Sequence, residues 1–156
     1  MIEKLVGFNT VSRDSNLPLI DFVQNLLYDQ GIDSRRVPSA DGKKSNLIAT
    51  VGPMIEGGIV LSGHTDVVPV DGQDWSSDPF VLQRRADRLY GRGSCDMKGF
   101  IGIALALIPQ MKQLRRPVHL ALSYDEEVGC LGAPDMIEVI RRELPQPQGV
   151  IVGEPT

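Results

Sequence analysis

Four short polar clusters carry the side chains of this sequence that are best suited to bind a metal ion and to move a proton. Three clusters follow apolar runs of strand length, and the fourth precedes an apolar segment with helical spacing. Ligands of α/β sheets gather at the carboxyl ends of the strands, so side chains that follow neighbouring strands are expected to meet. The clusters supply one imidazole and five carboxylates, which belong to His64, Asp66, Asp96, Glu126, Glu127 and Glu154.

Such a concentration of carboxylates requires a neutralising cation. Five carboxylates at one edge of a sheet would repel one another, and several of their pKa values would rise unless a positive ion were bound. Carboxylate oxygens together with an imidazole nitrogen suit a divalent ion, and zinc accepts both kinds of ligand. Because one tetrahedral ion cannot use so many ligands, the number favours two ions that share a bridging carboxylate.

Residue spacing within two of the clusters predicts how the roles are divided. His64 and Asp66 are two positions apart and point the same way in an extended segment, so Asp66 is expected to accept the second ring N–H of His64. Glu126 and Glu127 are adjacent and are expected to point in opposite directions. One of them then binds a metal ion, while the other acts as a general base toward water.

The glycine-rich cluster has to be compared with phosphate-binding loops. Gly91 and Gly93 precede a helix, as in a dinucleotide-binding loop, but Asp96 takes the place of the third glycine and would repel a pyrophosphate. A Walker loop needs Gly-Lys-Ser/Thr, whereas here Lys98 precedes Gly99. The cluster is therefore not predicted to bind a nucleotide.

Simpler interpretations apply to other candidate ligands. His119 lies within a predicted strand, about 26 Å from Glu127 if the chain is extended, so it is expected to be a structural histidine. A zinc site of Cys95, Cys130 and His64 is conceivable, but the two cysteines lack the short Cys-x-x-Cys spacing of structural sites. A lone His-x-Asp pair or Asp-Glu-Glu turn is also common without function, and it is the succession of all four clusters that favours a site.

Composition excludes several classes of protein. The 156 residues include 20 acidic and 16 basic side chains, for a net charge of -4, which argues against nucleic acid or an anionic membrane surface as partner. No apolar run approaches the ~20 residues of a membrane span, and no signal peptide is recognisable. Two cysteines are too few for a disulfide framework, so a cytoplasmic protein is predicted.

Strands and helices alternate along the chain, which predicts an α/β fold: a mixed, largely parallel sheet flanked by helices. Pro109 is expected to kink or end the helix that contains it. Trp75 and Phe80, in and after a long loop over 67–79, are candidates either for a substrate-pocket wall or for anchoring that loop. The predicted helices cover 16–30, 98–114 and 133–144, and the predicted strands cover 46–51, 58–62, 80–85, 88–90, 118–123 and 149–152.

The four clusters, in order, resemble the signatures of the M20 metallopeptidase family. The matching stretches are Ser-Gly-His64-Thr-Asp66-Val-Val-Pro-Val, Tyr-Gly-Arg-Gly-Ser-Cys-Asp96-Met-Lys-Gly, Ser-Tyr-Asp-Glu126-Glu127-Val-Gly and Gly-Glu154-Pro-Thr. The resemblance extends over the chain from Val6 onward. Two stretches, Asp-Trp-Ser-Ser-Asp-Pro-Phe and Cys-Asp-Met-Lys-Gly-Phe, are most similar to members that deacetylate N-acetyl-L-ornithine.

This resemblance implies a set of metal ligands. His64 and Glu154 would bind the first of two zinc ions, Asp96 would bridge both ions, and Glu127 would bind the second. Co²⁺ would be able to replace zinc. The resemblance further implies a cis peptide bond between Asp96 and Met97.

It also implies an activity. Glu126 would be the general base and Asp66 would brace His64 in a cytoplasmic zinc amidohydrolase, which converts N-acetyl-L-ornithine to L-ornithine and acetate in arginine biosynthesis. The alternatives are another hydrolase of the family, acting on succinyl-diaminopimelate, on other N-acyl amino acids or on dipeptides, and a non-catalytic fragment.

The sequence departs from the family pattern after Glu154. Members of the family are longer, with a lid domain through which they form homodimers and a later histidine on the second zinc ion. We therefore expect residues 1–156 to be the N-terminal part of a zinc-peptidase-like catalytic domain, with no second domain. His119 is too far from the clusters to replace the later histidine.

Overall fold

The computed structural model describes residues 1–111 and 113–155, so Lys112 and Thr156, which fall in a predicted helix and in the last motif, lie outside the described part. All nine predicted helices and strands are present in the described residues, with some shifted bounds, and a short helix and a short strand are added. The helices are α1 (Ile2–Val6), α2 (Leu17–Asp29), α3 (Lys98–Leu107) with a 3₁₀ turn (Ile108–Met111), and α4 (Ala133–Glu143). The strands are β1 (Ser34–Pro38), β2 (Ser45–Val51), β3 (Ile59–His64), β4 (Gln83–Arg85), β5 (Arg88–Tyr90), β6 (Val118–Ser123) and β7 (Gly149–Val152).

Five strands form one mixed sheet in the order β1-β2-β6-β3-β7, and β4 and β5 form a separate hairpin. β3 runs parallel to both β6 and β7, whereas β2 is antiparallel to β1 and to β6. The predicted mixed α/β sheet is confirmed, with its parallel pairings in the half that carries the polar clusters. Because β3, β6 and β7 run the same way, their carboxyl ends lie at one edge of the sheet.

Apolar residues bury both faces of the sheet. One face packs against α1, α2 and α3, where Leu120 and Leu122 of β6 join Leu5, Leu19 and Ile101 in the larger core. The other face packs against α4 in a smaller core of Ile48, Val60, Ala121, Met136 and Val139. Alternation along β6 sends successive side chains to opposite faces. This three-layer packing holds the carboxyl ends of the parallel strands in fixed positions.

Differences from the sequence-based prediction have local causes. The predicted helix over 98–114 changes to a 3₁₀ turn at Ile108, because Pro109 lacks the N–H that would continue the α-helical ladder. β3 continues to His64 instead of ending at residue 62, so His64 is itself a strand residue. No helix within the two described ranges is long and apolar enough to cross a lipid bilayer.

Candidate metal centre

The carboxyl ends of β3, β6 and β7 bring the predicted ligands together around His64. Its strand partner on β6 is Ser123, and the chain beyond Ser123 leads to Glu126. The Nε2 atom of His64 lies 2.9 Å from Asp96 Oδ1, 3.5 Å from Glu154 Oε1 and 3.9 Å from Glu126 Oε2. The imidazole is buried, while the three carboxylates are between one third and one half exposed, so the centre opens to solvent on its acidic side.

The ligand atoms fall into two groups that share His64. One group contains His64, Glu126 and Glu154, the other contains His64, Asp96 and Glu127, and within each group the atoms lie within 4.8 Å of one another. Zinc binds nitrogen and oxygen at about 2.0–2.2 Å, so two ligands of one tetrahedral ion lie roughly 3.5 Å apart. Small side-chain movements would let either group close on an ion, although the single lone pair of His64 Nε2 can bind only one ion at a time. The donor atoms and their spacing therefore fit one or two divalent ions.

Electrostatics of the carboxylates point the same way. Burial raises the pKa of Glu127 and of Glu154, and the charge of Asp96 raises both further, although His64 opposes the increase. These carboxylates therefore carry an excess of negative charge that is only partly compensated by their neighbours. A divalent cation would neutralise it.

His64 is held in its charged form when no metal is bound. Burial lowers its pKa, but hydrogen bonds and charge from Asp66 and then Asp96 outweigh burial and raise the pKa to about 9. A metal ion binds the neutral ring. Binding at neutral pH must therefore release the proton of His64.

Asp66 supports the centre in a way that differs from the expectation. The Nδ1 atom of His64 is 2.9 Å from the main-chain carbonyl oxygen of Asp66 and 3.5 Å from its carboxylate. The carboxylate instead accepts hydrogen bonds from the Ser12 hydroxyl at 2.7 Å and from the main-chain N–H groups of Glu126 at 3.1 Å and Glu127 at 3.3 Å. Asp66 thus connects the imidazole to the turn that carries both glutamates.

Glu126 and Glu127 occupy a turn, so the alternation of an extended strand does not apply to them. β6 ends at Ser123, and the N–H groups of Gly129 and Cys130 both donate to the carbonyl oxygen of Glu126 at 3.0 Å. The two carboxylates nevertheless belong to different ligand groups. The structure therefore leaves room for one glutamate to act as ligand and the other as base.

Asp96 is presented by the glycine-rich loop before α3. The peptide bond between Asp96 and Met97 is cis, which confirms the prediction. Gly93 adopts a φ of +78°, which favours glycine, and its carbonyl accepts the N–H of Lys98 at 2.8 Å. The Lys98 side chain is fully buried and donates to the carbonyl oxygen of Phe8 at 2.6 Å. Burial lowers the pKa of this amine to about 7, against the attraction of the nearby Asp66 carboxylate.

The N-terminal segment around Val11 is a part of the centre that sequence reasoning missed. Val11 forms a parallel bridge with Val67, and the Thr10 hydroxyl donates to the carbonyl oxygen of Thr65 at 2.6 Å. This bridge places Ser12 beside Asp66. Three residues of alternating polarity were too short a signal for a strand, although their pattern is that of one.

His119 and the cysteines lie apart from the two ligand groups. His119 is fully buried in β6, with Nδ1 2.8 Å from the Thr50 hydroxyl and Nε2 without a hydrogen-bond partner among the described residues. Cys95 and Cys130 are exposed, and neither joins a ligand group in the described ranges. Cys130 Sγ lies 3.5 Å from Glu126 Oε1, at the rim of the centre.

The aromatic residues suggested for a pocket wall are both half-buried. Trp75 stacks against the guanidinium of Arg92, which lies 5.2 Å from the ring centre and also donates to Gln73. This contact supports the anchoring role. An apolar cavity of about 510 Å³ opens instead between α4 and β7, beside His64, Glu126 and Glu154.

The sequence is similar to that of a known peptidase family. Residues 60–156 match the family described as Peptidase family M20/M25/M40. The chain is 39% identical over 160 aligned residues to an acetylornithine deacetylase of Myxococcus xanthus, covering 99% of the chain and 41% of the relative. It is 37% identical to an acetylornithine deacetylase of Pasteurella multocida, covering 91% of the chain and 37% of the relative. The chain thus spans about two fifths of the length of these relatives.

Solved structures show the same fold at lower identity. Human carnosine dipeptidase 1 superposes with a TM-score of 0.78 at 20% identity, covering 96% of this chain and 36% of the dipeptidase. An M20 family metallo-carboxypeptidase from Sulfolobus solfataricus also gives 0.78, at 24% identity and with 97% and 36% of the two chains covered. Since the sequence match extends over more than half of the residues, the chain belongs to peptidase family M20/M25/M40.

Proposed function

We propose that this chain is the metal-binding N-terminal part of a zinc amidohydrolase that converts N-acetyl-L-ornithine to L-ornithine and acetate, a reaction of arginine biosynthesis. The observation that carries the proposal is the pair of ligand groups that share His64 at the carboxyl ends of β3, β6 and β7. The substrate rests on the two relatives named acetylornithine deacetylase, which align with nearly the whole chain. As the chain spans about two fifths of their length, the activity is proposed for the complete polypeptide that carries these residues.

Two zinc ions, with Co²⁺ as a substitute, suit the ligand groups. His64 and Glu154 would hold one ion, Glu127 would hold the other, and Asp96 would bridge them. When bound, the ions supply positive charge that polarises the amide carbonyl and makes water more acidic. The open acidic side of the centre is where an amide group would approach.

Glu126 has the position of a general base. Its carboxylate is 37% exposed, which lets it reach both water and substrate, and its Oε2 atom is 3.9 Å from His64 Nε2. Glu126 takes a proton from the water whose oxygen attacks the acetyl carbon. As the carbon–nitrogen bond breaks, Glu126 returns that proton to the departing amine. The products are acetate and L-ornithine with a free amino group.

Asp66 fixes the position of Glu126 relative to the imidazole of His64. It accepts the N–H groups of Glu126 and Glu127 through its carboxylate, and its carbonyl oxygen lies against the Nδ1 atom of His64. The hydrogen bond fixes which ring nitrogen faces the carboxylates. We assign Asp66 a positioning role for this reason.

The proposal is tested by the substitution Glu126→Gln in the complete polypeptide. We expect turnover of N-acetyl-L-ornithine to fall by about 10²–10⁴-fold, the usual contribution of a general base, while zinc content stays near the wild-type value. Glu127→Gln should reduce both zinc content and turnover. Glu138→Gln, an exposed glutamate of α4, serves as the control and should change neither. Near-normal turnover of Glu126→Gln would remove Glu126 from the mechanism.

A second candidate is another hydrolase of the same family. It is favoured by the fold similarity to a dipeptidase and a metallo-carboxypeptidase. A panel of N-acetyl-L-ornithine, N-succinyl-diaminopimelate, other N-acetyl amino acids and dipeptides separates these substrates by kcat/KM. Zinc binding without turnover of any of them would indicate a non-catalytic metal-binding chain.

The remaining proposals concern location and assembly. We propose a cytoplasmic enzyme that acts on a small molecule and binds neither nucleic acid nor membranes, in keeping with the net charge of -4. A homodimer through a lid domain, as the family resemblance implies, would be a property of the complete polypeptide. Gel filtration of that polypeptide with light scattering tests the dimer.

A further inference from the structure

We infer that the ion pair between Lys44 and Asp125 positions the Glu126–Glu127 turn, and that it thereby controls how tightly the ligand group containing Glu127 holds its metal ion. Neither Lys44 nor Asp125 belongs to a ligand group. The inference rests on the proposed metal centre but does not depend on which substrate is hydrolysed.

The ion pair is short and largely shielded from water. Lys44 Nζ lies 2.5 Å from Asp125 Oδ1, and the two side chains are 16% and 11% exposed. The neighbouring pair of Lys43 and Asp41 is 3.8 Å apart, with side chains 78% and 58% exposed. An exposed pair contributes little to stability, whereas removal of one partner from a shielded pair leaves an uncompensated charge. The two adjacent lysines therefore differ sharply in what their loss should do.

Asp125 stands where the chain changes direction. β6 ends at Ser123, and Asp125 has a φ of +54°, in the left-handed region that residues with a side chain seldom adopt. Its carbonyl oxygen accepts the N–H of Leu131 at 3.0 Å, which closes the turn. Since Asp125 directly precedes Glu126, the hydrogen bond from Lys44 fixes the point from which both glutamates depart.

The turn is held from two sides that meet at Ser12. On one side Lys44 binds Asp125 and also donates to the carbonyl oxygen of Ser12 at 2.5 Å. On the other side Asp66 accepts the N–H groups of the two glutamates and the hydroxyl of Ser12 at 2.7 Å. Loss of Lys44 removes the first attachment and leaves the second in place.

This arrangement predicts an asymmetric effect on the two ligand groups. Glu127 would gain freedom relative to Asp96, and the group that contains them would bind its ion less tightly. Glu126 lies on the same turn, but as the proposed base it is not needed to hold the other ion. The ligands of that ion, His64 and Glu154, lie on β3 and just beyond β7, which Lys44 does not contact through the bonds described above. A site-selective loss of affinity is therefore the signature of a positioning role.

The test is a calorimetric titration of the metal-free chain with Co²⁺, comparing wild type, Lys44→Met and Lys43→Met. For Lys44→Met we expect one of the two affinities to fall by about 10–100-fold, as for other residues that support metal ligands, while the second affinity changes by less than about twofold. Lys43→Met should match wild type at both sites. Lys44→Arg, which keeps the charge and the donor, should restore most of the lost affinity.

Several outcomes overturn the inference. Unchanged affinities in Lys44→Met, or an equal loss at both sites, would assign Lys44 a general structural role. If Lys44→Met does not fold, Asp125→Asn removes the charge while keeping the side-chain shape, and the same selective loss is required of it. A wild-type chain that binds no Co²⁺ would overturn the proposed metal centre and this inference with it. That result differs from one in which Lys44→Met keeps both wild-type Co²⁺ affinities, which would overturn only this inference.

Discussion

Metal affinity should rise steeply with pH up to about 9, because His64 must lose a proton before its ring binds an ion. Burial lowers the pKa of His64, but Asp66 and Asp96 outweigh burial and raise the pKa to about 9. Below that pKa, one competing proton reduces the apparent affinity about tenfold for each pH unit. Between pH 6.5 and 8.5 we therefore expect an increase of roughly a hundredfold. A histidine with an ordinary pKa near 6.5 would give only about twofold.

The assay is competition for Co²⁺ between the metal-free chain and a chelator of known pH dependence, at intervals from about pH 6 to 9.5. Calorimetry at pH 7.5 in buffers of different ionisation enthalpy should show the release of about one proton per imidazole bound. His119→Gln is the control, since this histidine lies within β6, outside both ligand groups, and should not alter the release. An affinity that levels off above pH 7, with little proton release at pH 7.5, would refute the reasoning.

Three further predictions concern the loop that presents Asp96. Lys98 has a pKa of about 7 in the folded chain and 10.5 when unfolded, so the unfolded state binds more protons between these values and Lys98 contributes stability that increases with pH. In urea unfolding of the metal-free chain, the difference in unfolding free energy between wild type and Lys98→Met should therefore move in favour of wild type from about pH 7 to about pH 10. A constant difference would contradict the assignment. Gly93→Ala should destabilise the chain by about 1–3 kcal/mol in the same assay, because Gly93 has a φ of +78° and an added Cβ would lie 2.7 Å from Val67. A Gly93→Ala variant as stable as wild type would show that the loop adjusts freely. Labelling of exposed Cys95, next to Asp96, should lower zinc content measured by elemental analysis, and full zinc content after complete labelling would disprove that effect.

Much of the fold could be predicted from the sequence, because the long apolar runs are bounded by clear punctuation. β6 and β7 have the predicted bounds, and α4 differs by one residue. β1 was missed because Ser-Arg-Arg-Val-Pro at the edge of a sheet lacks apolar alternation, and α1 because it has five residues. Whether β2 runs parallel or antiparallel to β6 depends on the path between them, which no local pattern contains.

The candidate ligands could be predicted for a related reason: each follows or precedes an apolar element whose end is visible in the sequence. The residues that hold these ligands in place could not be predicted. The contact from Ser12 to Asp66 spans 54 positions and that from Lys44 to Asp125 spans 81, so both depend on the folded chain. The Nδ1 atom of His64 lies at hydrogen-bond distance from the main-chain carbonyl oxygen of Asp66 and not, as expected, from its carboxylate, because the carboxylate accepts the N–H groups of the glutamate turn.

Zinc content of the folded chain tests the central claim most directly. After saturation with zinc and gel filtration, elemental analysis should give about two zinc ions per wild-type chain, one held by His64 and Glu154 and the other by Glu127, with Asp96 shared between them. Because His64 holds one of the two ions, His64→Ala should lose at least that ion while His119→Gln keeps both. A folded wild-type chain without zinc, or a His64→Ala variant with undiminished zinc, would contradict the proposed metal centre.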